Sequence, residues 1–380
     1  MSGGWVGVTG PRISAAATGW RDRARDFAAR EIVPRVEEME RSDRFPPGLL
    51  RRLADEGFLG LSIPIPYGGA AASAEDTVAV LSEFGRVSAA VATLLSVHLS
   101  VASMPIVTWG TEAQKSRFLP SLARGSSLGG FALTEAGAGS DAAAISCRYR
   151  RSATGFRLDG TKMFITNGDL ADLLVTFATV DPGRGVHGIS AFLLEKGARG
   201  FSVAQRLEKL GLRGSETTEL VYDGVDLPVD ALLGSEGQGL TIALKALTDG
   251  RVGIAAVALG AAQAALEELL RIGRLHPGEG SRIAAARGFT EVTAAEALVL
   301  RAAGLKDSGA PFVREASAAK LFASQAAVRT AEAAVDLAGP EAGNLAHPAS
   351  RLLRDARVFS IVEGTSEIQE LVLGRSLLGR

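Results

Sequence analysis

The segment from residue 129 to about residue 230 has the pattern of β-structure, whereas the sequence on both sides of it is typical of helices. Short β-type runs cover residues 173–180, 187–194 and 219–222, and prolines and glycines separate them. Because no helical segments alternate with these runs, the pattern favours an antiparallel barrel or sandwich over a parallel sheet. Asp159-Gly160 stands between two further runs and predicts a two-residue hairpin turn.

The flanking sequence divides the chain into three predicted domains. Residues 1–127 are expected to form an N-terminal helical domain, residues 128–233 the central β domain, and residues 234–380 a C-terminal helical bundle. Ser73 and Thr111 lie where helices should begin, and apolar residues recur at helical spacing after each of them. The expected fold is therefore mainly α with a central antiparallel β domain.

Composition limits the classes of protein that this chain can represent. Its 380 residues are 47% hydrophobic and carry a net charge of −1, which allows a sizeable core and gives no sign of nucleic-acid binding. Cys147 is the single cysteine, so no internal disulfide can form, and its simplest interpretation is a small buried residue.

Residues 87–111 carry no formal charge, but they include several hydroxyl groups and His98, which favours a buried helix over a membrane span and makes His98 a core histidine. No secretory signal is recognisable, so we expect a cytoplasmic protein.

Residues 361–369, Ile-Val-Glu-Gly-Thr-Ser-Glu-Ile-Gln, combine a carboxylate with a predicted helix start. Gly364 follows Glu363 and allows a ligand to approach the backbone closely, and Thr365 can cap the helix. A helix start offers free N–H groups to an anionic or strongly accepting ligand. Glu363 could therefore serve as a general base, although these nine residues alone are more simply explained by a capped surface helix with a solvated glutamate.

Two stretches in the β segment could contact a flat or phosphorylated ligand. Residues 134–141 follow a β-type run and combine glycines with hydroxyl groups. They lack the Gly-Lys-Ser/Thr of a Walker loop and the strand–loop–helix context of a dinucleotide-binding fingerprint. Residues 162–168 place an aromatic side chain just before a turn, where it could lie against a ring system. An ordinary turn and the end of a core strand are the alternatives.

Four stretches, in this order and spacing, resemble the acyl-CoA dehydrogenase family: residues 134–141, 159–168, 210–215 and 362–369. The resemblance extends from about Ala24 to Gln369. It implies a helix–β-barrel–helix architecture with FAD between the β domain and the C-terminal helices. It also implies oxidation of an acyl thioester to a trans-2-enoyl thioester, an electron-transfer flavoprotein as electron acceptor, and a homodimer or homotetramer. No metal site is expected.

The resemblance assigns roles to individual positions. Glu363 matches the base that removes the α-proton while the β-hydrogen passes to flavin N5, and Gly250 occupies the helix position from which some members supply that base instead. The cofactor-binding positions are Phe131, Leu133, Thr134, Gly139, Ser140, Phe164, Ile165, Thr166, Thr365 and Glu367. The substrate-binding positions are Ser140, Arg251 and Gly364. A surface arginine on a helix is the alternative interpretation of Arg251.

Some positions depart from the family pattern. His276 stands in place of the arginine that begins the usual Arg-x-x-Phe-Gly segment, and Arg287 replaces a glutamine that usually follows it. Asp336 stands in place of the first glutamine of the usual Gln-x-x-Gly-Gly segment. These changes concern the adenine end of FAD and the contact across subunits, where an aspartate near a diphosphate is unfavourable. Thr248 and Val362 replace frequent acidic and tyrosine residues, which favours an unusual acyl group or an acyl-carrier-protein substrate.

Two alternative functions compete with dehydrogenation. One is a related flavin enzyme that uses oxygen, although the presence of Glu363 favours dehydrogenation. The other is an acyl-thioester-binding homologue with impaired flavin binding, which the changes at His276, Arg287 and Asp336 suggest and against which the retained Glu363 and residues 134–140 argue.

Overall fold

The computed structural model describes residues 15–379. Its first part is helical, in the order α1 (Ala15–Phe27), α2 (Val36–Ser42), α3 (Leu49–Asp55), α4 (Ala74–Val87), α5 (Ala89–Ser96), α6 (Met104–Trp109) and α7 (Glu112–Ala123). Ser73 and Asp76 cap α4 reciprocally, and Thr111 and Gln114 do the same for α7. Each pair satisfies N–H groups that a helix start leaves free, so both predicted helix starts are confirmed.

The last part of the chain is a bundle of long helices. These are α8 (Gly239–Leu275), α9 (Glu279–Asp307), α10 (Val313–Ala338), α11 (Pro348–Phe359) and α12 (Ser366–Leu378). Helix α8 is buried along most of its length and packs against both α4 and α10, so it joins the two helical parts into one core. The predicted helical character of both flanking regions is confirmed.

Two helical segments are long and apolar enough to cross a membrane by length and composition, Ala89–Trp109 and Gly239–Leu275. In each, 83% of the most apolar window is buried inside the protein. A core helix has the same composition, so the two segments are weak evidence for a membrane span.

The sheet between the helical parts contains β1 (Gly129–Ala132), β2 (Arg148–Ser152), β3 (Gly155–Thr166), β4 (Leu173–Thr179), β5 (Ile189–Glu195), β6 (Phe201–Arg206), β7 (Thr217–Pro228) and β8 (Leu232–Leu233). Hydrogen bonding follows the order β6-β7-β3-β2-β4-β5-β8, with β1 paired to β4. This path runs from β6 to β8 without closing into a ring within residues 15–379.

The sheet is mixed, so the prediction of an antiparallel β domain is confirmed only in part. Most pairs are antiparallel, but β1 pairs with β4 in parallel and β2 meets β4 in parallel at one position. A parallel pair needs a long crossover connection, which is usually a helix. Here β2 and β3 themselves lie within the connection from β1 to β4, so the absence of strand–helix alternation did not reveal the parallel pair.

The hairpin predicted at Asp159-Gly160 was wrong. Both residues lie inside the continuous strand β3, and the β2–β3 turn is formed by Ala153 and Thr154. The pairing of β3 with β7 shifts register at this point. Gly160 has φ 144°, and a Cβ there would lie 2.8 Å from Cα of Cys147. The Asp-Gly pair therefore serves an irregularity in the ladder, where glycine is also favoured.

His98 joins the first helical part to the sheet. It is fully buried, its Nε2 lies 3.1 Å from the carbonyl oxygen of Leu59, and its Nδ1 accepts a hydrogen bond from the N–H of Gly129 at 3.0 Å. Burial lowers the pKa of His98 to about 4, so the ring is neutral near pH 7. The prediction of a core histidine is confirmed, and the contact fixes the beginning of β1.

Candidate active site

Glu363 lies in the short connection between α11 and α12, in a conformation that disfavours a side chain. Its φ is 56°, and φ of Gly364 is 93°. The left-handed region costs a non-glycine residue about 1–2 kcal/mol, so the surrounding contacts must hold the turn. Directly after it, the Thr365 side chain accepts a hydrogen bond from the N–H of Ile368 and caps α12, as predicted from the sequence.

The carboxylate of Glu363 is seated on helix α8 at Gly250. A Cβ placed on Gly250 would lie only 1.9 Å from Oε2 of Glu363, so the absence of a side chain at residue 250 makes room for the carboxylate. Oε2 is buried and has no hydrogen-bond partner. Burial raises the pKa of Glu363 to about 7, although the positive charges of Arg251 and Lys320 oppose that rise. A carboxylate with this pKa can accept a proton near neutral pH.

Strand β1 is packed beside the same face of α8. Phe131 packs against an apolar cluster formed by Val97, Val101 and Ala246. Ala246 lies four residues before Gly250, so the two positions share one face of the helix. The fold therefore brings the end of β1 and the carboxylate of Glu363 to neighbouring turns of α8.

A buried ion pair fixes residues 133–135 to strand β3. Lys162 is 0% exposed and donates hydrogen bonds from Nζ to Oε1 of Glu135 at 2.7 Å and to the carbonyl oxygen of Leu133 at 3.0 Å. The N–H of Met163 donates to the carbonyl oxygen of Thr134 at 2.8 Å. These bonds hold the Thr134 stretch beside residues 164–166. Both charged residues lie in the stretches 134–141 and 162–168, but no role was predicted for either from the sequence.

The exposed surface next to this pair fits a flat ring system. Phe164 is 62% exposed and has φ 61°, so a large aromatic side chain is held away from the sheet core. Gly139 and Ser140 are exposed, and a Cβ on Gly139 would meet nothing within 4 Å. An exposed aromatic ring and an open stretch of backbone are each features that a flat ligand such as a flavin could cover. Ile165 and Leu133 are buried in the apolar cores of the β domain, so they can reach such a ligand mainly through their backbone atoms.

Arg251 is buried, so the alternative of a surface arginine is wrong. It is 6% exposed, its Nη1 donates to Oγ of Ser317 at 3.4 Å, and its Nε is buried without a hydrogen-bond partner. Burial lowers the pKa of Arg251 while the charge of Glu363 raises it, and an arginine remains charged near pH 7. A buried cation with an unpaired donor can receive an anionic or strongly accepting group.

Three of the positions that depart from the family pattern lie at the surface, whereas Thr248 and Val362 are within two residues of Gly250 and Glu363. His276, Arg287 and Asp336 are all exposed, at the end of α8, on α9 and on α10. Within residues 15–379, no hydrogen bond or ion pair connects them to Glu363 or to the Thr134 stretch. Glu367 is exposed in the first turn of α12, close to Thr365.

A buried, unpartnered carboxylate whose pKa is raised to about 7 is typical of a functional site. Family models cover most of the chain. The acyl-CoA dehydrogenase N-terminal domain matches residues 14–126, the middle domain residues 130–225 and the C-terminal domain residues 237–378.

Individual relatives match over nearly the full length. The chain is 45% identical to an acyl-CoA dehydrogenase of Bacillus subtilis (strain 168), over 94% of this chain and 97% of that protein. It is 38% identical to acryloyl-CoA reductase (NADH) of Anaerotignum propionicum, over 94% of this chain and 93% of that protein. The structure of butyryl-CoA dehydrogenase from Megasphaera elsdenii superposes with a TM-score of 0.94 at 35% identity, covering 97% and 99% of the two chains.

The chain belongs to the acyl-CoA dehydrogenase family, whose members are FAD-dependent oxidoreductases acting on the CH–CH bond of acyl thioesters. The resemblance seen in the four sequence stretches is thereby confirmed.

The contact between Gly250 and Glu363 gives a first prediction. In Gly250→Ala the added methyl group would occupy the position of Oε2 and displace the carboxylate, so the rate of substrate-dependent flavin reduction should fall by about 10- to 100-fold. The measurement is stopped-flow absorbance at saturating substrate. Gly273→Ala is the matched control, because it adds the same methyl group to the same helix at a position away from the site, where the nearest atom would lie 3.5 Å away, an ordinary contact distance. An equal loss in both variants would contradict the proposed seat of the carboxylate.

Proposed function

We propose that this enzyme oxidises a short acyl thioester to the trans-2-enoyl thioester, with Glu363 as the base that removes the α-proton. The observation that carries the proposal is the buried, unpartnered Oε2 of Glu363, seated on Gly250 with a pKa raised to about 7. FAD, when bound, supplies the acceptor for the β-hydrogen, which leaves as hydride. The α-proton moves to Oε2, so the carboxylate becomes a neutral carboxylic acid.

The chain's own groups would stabilise the negative charge that develops on the thioester oxygen. The backbone N–H groups of the Glu363–Gly364 turn are the proposed donors, and the buried Arg251 adds a positive charge close to the base. Gly364 lets the thioester approach this turn closely. Ser140, on the exposed loop, is the proposed further contact to the thioester.

The proposed FAD site consists of two parts. Phe131, Leu133, Thr134, Gly139 and Ser140 are proposed for the edge of the flavin, and residues 164–166 for the face of its ring. Thr365 and Glu367 are proposed near the diphosphate and ribose. The exposed ring of Phe164 and the hydrogen bond that joins Met163 to Thr134 support this grouping.

We propose that the far end of the acyl group lies in a cavity of about 230 Å³ between α4, α5 and α8. Asp249 and Gly253 line this cavity, while Gly250 on the same helix segment contacts Glu363. The cavity also has polar walls, since it is lined by Ser96 and by Lys306, whose Nζ lies 3.1 Å from Oδ1 of Asp249. A short acyl group with a polar substituent fits this lining better than a long alkyl chain.

Reduction of a 2-enoyl thioester is the second candidate function. The same groups serve both directions, because Glu363 in its protonated form can return the α-proton. The 38% identical acryloyl-CoA reductase (NADH) favours this alternative. The direction depends on the redox partner, for which an electron-transfer flavoprotein is proposed.

Other features of the assembly also remain proposals. The acyl group could be carried by CoA or by an acyl carrier protein, and a homodimer or homotetramer is proposed because His276, Arg287 and Asp336 are exposed where a neighbouring subunit could meet them. We likewise propose domain boundaries at about residues 127 and 233, a barrel-like form of the β domain and a cytoplasmic location.

An anaerobic titration tests the proposed function. The purified protein is mixed with short acyl-CoAs and acyl carrier proteins, with and without a polar substituent on the acyl chain, while the long-wavelength flavin band is followed. Bleaching by one class confirms dehydrogenation and identifies the carrier. Reoxidation of chemically reduced enzyme by a 2-enoyl thioester alone would favour the reductase. A protein that binds no added FAD would contradict both functions.

The pKa of Glu363 gives a second prediction. Only the ionised carboxylate can accept the α-proton, and the pKa of Glu363 is raised to about 7 by burial. The rate of flavin reduction at low substrate should therefore increase as the pH rises through about 7, with little activity at pH 5. Measuring the reduction rate over a series of pH values checks this. The acid limb of the pH–rate profile is the part where the rate falls at low pH. An acid limb centred near pH 4.5, the ordinary pKa of a glutamate, would contradict the burial of the base.

A further inference from the structure

The buried face of α10 carries three polar residues beneath the turn of the catalytic glutamate. Ser317, Lys320 and Ser324 recur at helical spacing, and all three are 0% exposed. Their neighbours on α10 are small, and the buried ones include Ala316, Ala319, Ala323 and Ala327. A lysine is costly on such a face: the pKa of Lys320 is lowered to about 8, chiefly by burial and also by the charge of Arg251, although Glu363 and Glu367 oppose the change.

Each of the three side chains contacts the catalytic region. Nζ of Lys320 donates to the carbonyl oxygen of Gly364 at 2.7 Å. Oγ of Ser324 lies 3.1 Å from the carbonyl oxygen of Phe359, the last residue of α11, and Oγ of Ser317 accepts from Arg251. Helix α10 therefore holds both ends of the connection that contains Glu363, together with the neighbouring arginine.

The contact made by Lys320 is the one closest to the strained backbone. Glu363 and Gly364 are consecutive residues with a left-handed backbone conformation. The carbonyl group of Gly364 is the last group of this turn. This carbonyl also accepts from Nε2 of Gln369 at 3.0 Å, but Gln369 is neutral. Lys320 thus supplies the charged one of two donors that fix this peptide group.

Lys320 also contributes to the electrostatic environment of the base. The charged groups facing Glu363 are Arg251 and Asp249 from α8 and Lys320 from α10, and Glu367 of α12 faces Lys320 in turn. Arg251 and Lys320 favour the ionised carboxylate, whereas Asp249 and burial oppose it.

We propose that Lys320 is a positioning residue for the proposed reaction: its ammonium group holds the left-handed Glu363–Gly364 turn through the Gly364 carbonyl and keeps a positive charge beside the ionised base. The role rests on the proposed function of Glu363. Lys320 neither accepts nor donates a proton in the reaction, so its loss misplaces the base without removing it.

Two variants separate the hydrogen bond from the charge. Lys320→Met removes both, whereas Gln369→Leu removes a neutral donor, which bonds the carbonyl oxygen of Gly364 at 3.0 Å and that of Glu363 at 3.5 Å, and leaves the charge in place. In Lys320→Met we expect faster amide hydrogen exchange in peptides covering residues 360–365, flavin reduction slowed by about 10- to 100-fold with little change in KM, and an acid limb moved to higher pH. In Gln369→Leu exchange should rise while the acid limb stays in place. Lys320→Arg keeps the charge and should retain the wild-type acid limb.

The outcomes that overturn the proposal are equally specific. Unchanged hydrogen exchange of residues 360–365 in Lys320→Met would exclude a positioning role, and an acid limb identical to that of the wild type would exclude the electrostatic one. If Lys320→Met fails to fold, Lys320→Gln, which loses the charge and keeps a shorter donor, replaces it in every measurement. If no thioester reduces the wild-type flavin, the proposed function fails, while the exchange measurement still decides whether Lys320 holds the turn.

Discussion

Replacement of Glu363 by glutamine should lower the rate of substrate-dependent flavin reduction by about 10²- to 10⁴-fold, the usual contribution of a positioned general base. Glutamine has nearly the same shape and can keep the left-handed turn, but it cannot accept the α-proton. Because the turn and the FAD-binding stretches are preserved, the variant should retain its flavin absorbance. Anaerobic stopped-flow bleaching of the flavin measures the rate, and the bound flavin is quantified in the same sample.

Two further variants show whether the effect belongs to the carboxylate at this place. Glu370→Gln is the control, since Glu370 is exposed on α12 and its loss should leave the rate unchanged. In the double variant Gly250→Glu/Glu363→Gly, the new side chain projects from helix α8. Its Cβ would lie 1.9 Å from the wild-type position of Oε2 of Glu363, so its carboxylate starts from the same part of the site. The double variant should regain part of the activity that Glu363→Gly alone lacks. A Glu363→Gln enzyme that keeps more than about a tenth of the wild-type rate would exclude Glu363 as the base.

The helices and the position of the base were predictable because their signals are local. Ser73 and Thr111 were identified as helix starts from residues within one turn, and the structure shows the reciprocal caps at both. The same holds for Thr365, which caps α12 directly after Gly364. Capping and apolar spacing depend on neighbours three or four residues away, so a single sequence contains the information.

Features that depend on distant residues were missed or misinterpreted. Asp159-Gly160 has the composition of a tight turn, but pairing with β7 draws it into a strand. The parallel contact of β1 with β4 depends on strands formed later in the chain. Lys320 looks like an ordinary helix residue until the loop 44 positions later is seen to accept its hydrogen bond. In each case tertiary packing decided a position that local propensity left open.

Replacement of Lys162 by methionine should lower the free energy of unfolding by about 3–5 kcal/mol, since it leaves the buried carboxylate of Glu135 without its cation. Burial by itself raises the pKa of Glu135, but the charge of Lys162 and hydrogen bonds from Lys162 and Ser146 outweigh burial and hold the pKa below its usual range. The pair also fixes the Thr134 stretch, so flavin binding should weaken together with stability. Urea unfolding of the holoenzyme and flavin retention on gel filtration measure the two effects.

The pH dependence and two further variants separate the buried charge from general damage. A depressed glutamate pKa stabilises the fold above its unfolded value of 4.5, and this contribution is lost as the pH falls below it. The difference between Lys162→Met and wild type should therefore shrink at acidic pH. Lys162→Met/Glu135→Gln removes both charges and should recover part of the stability at pH 7. Lys115→Met is the matched control, because its ion pair with the largely exposed Glu112 lies at the surface and should contribute less than about 1 kcal/mol. If Lys162→Met costs no more than Lys115→Met, the buried pair does not hold the loop that precedes the proposed flavin site.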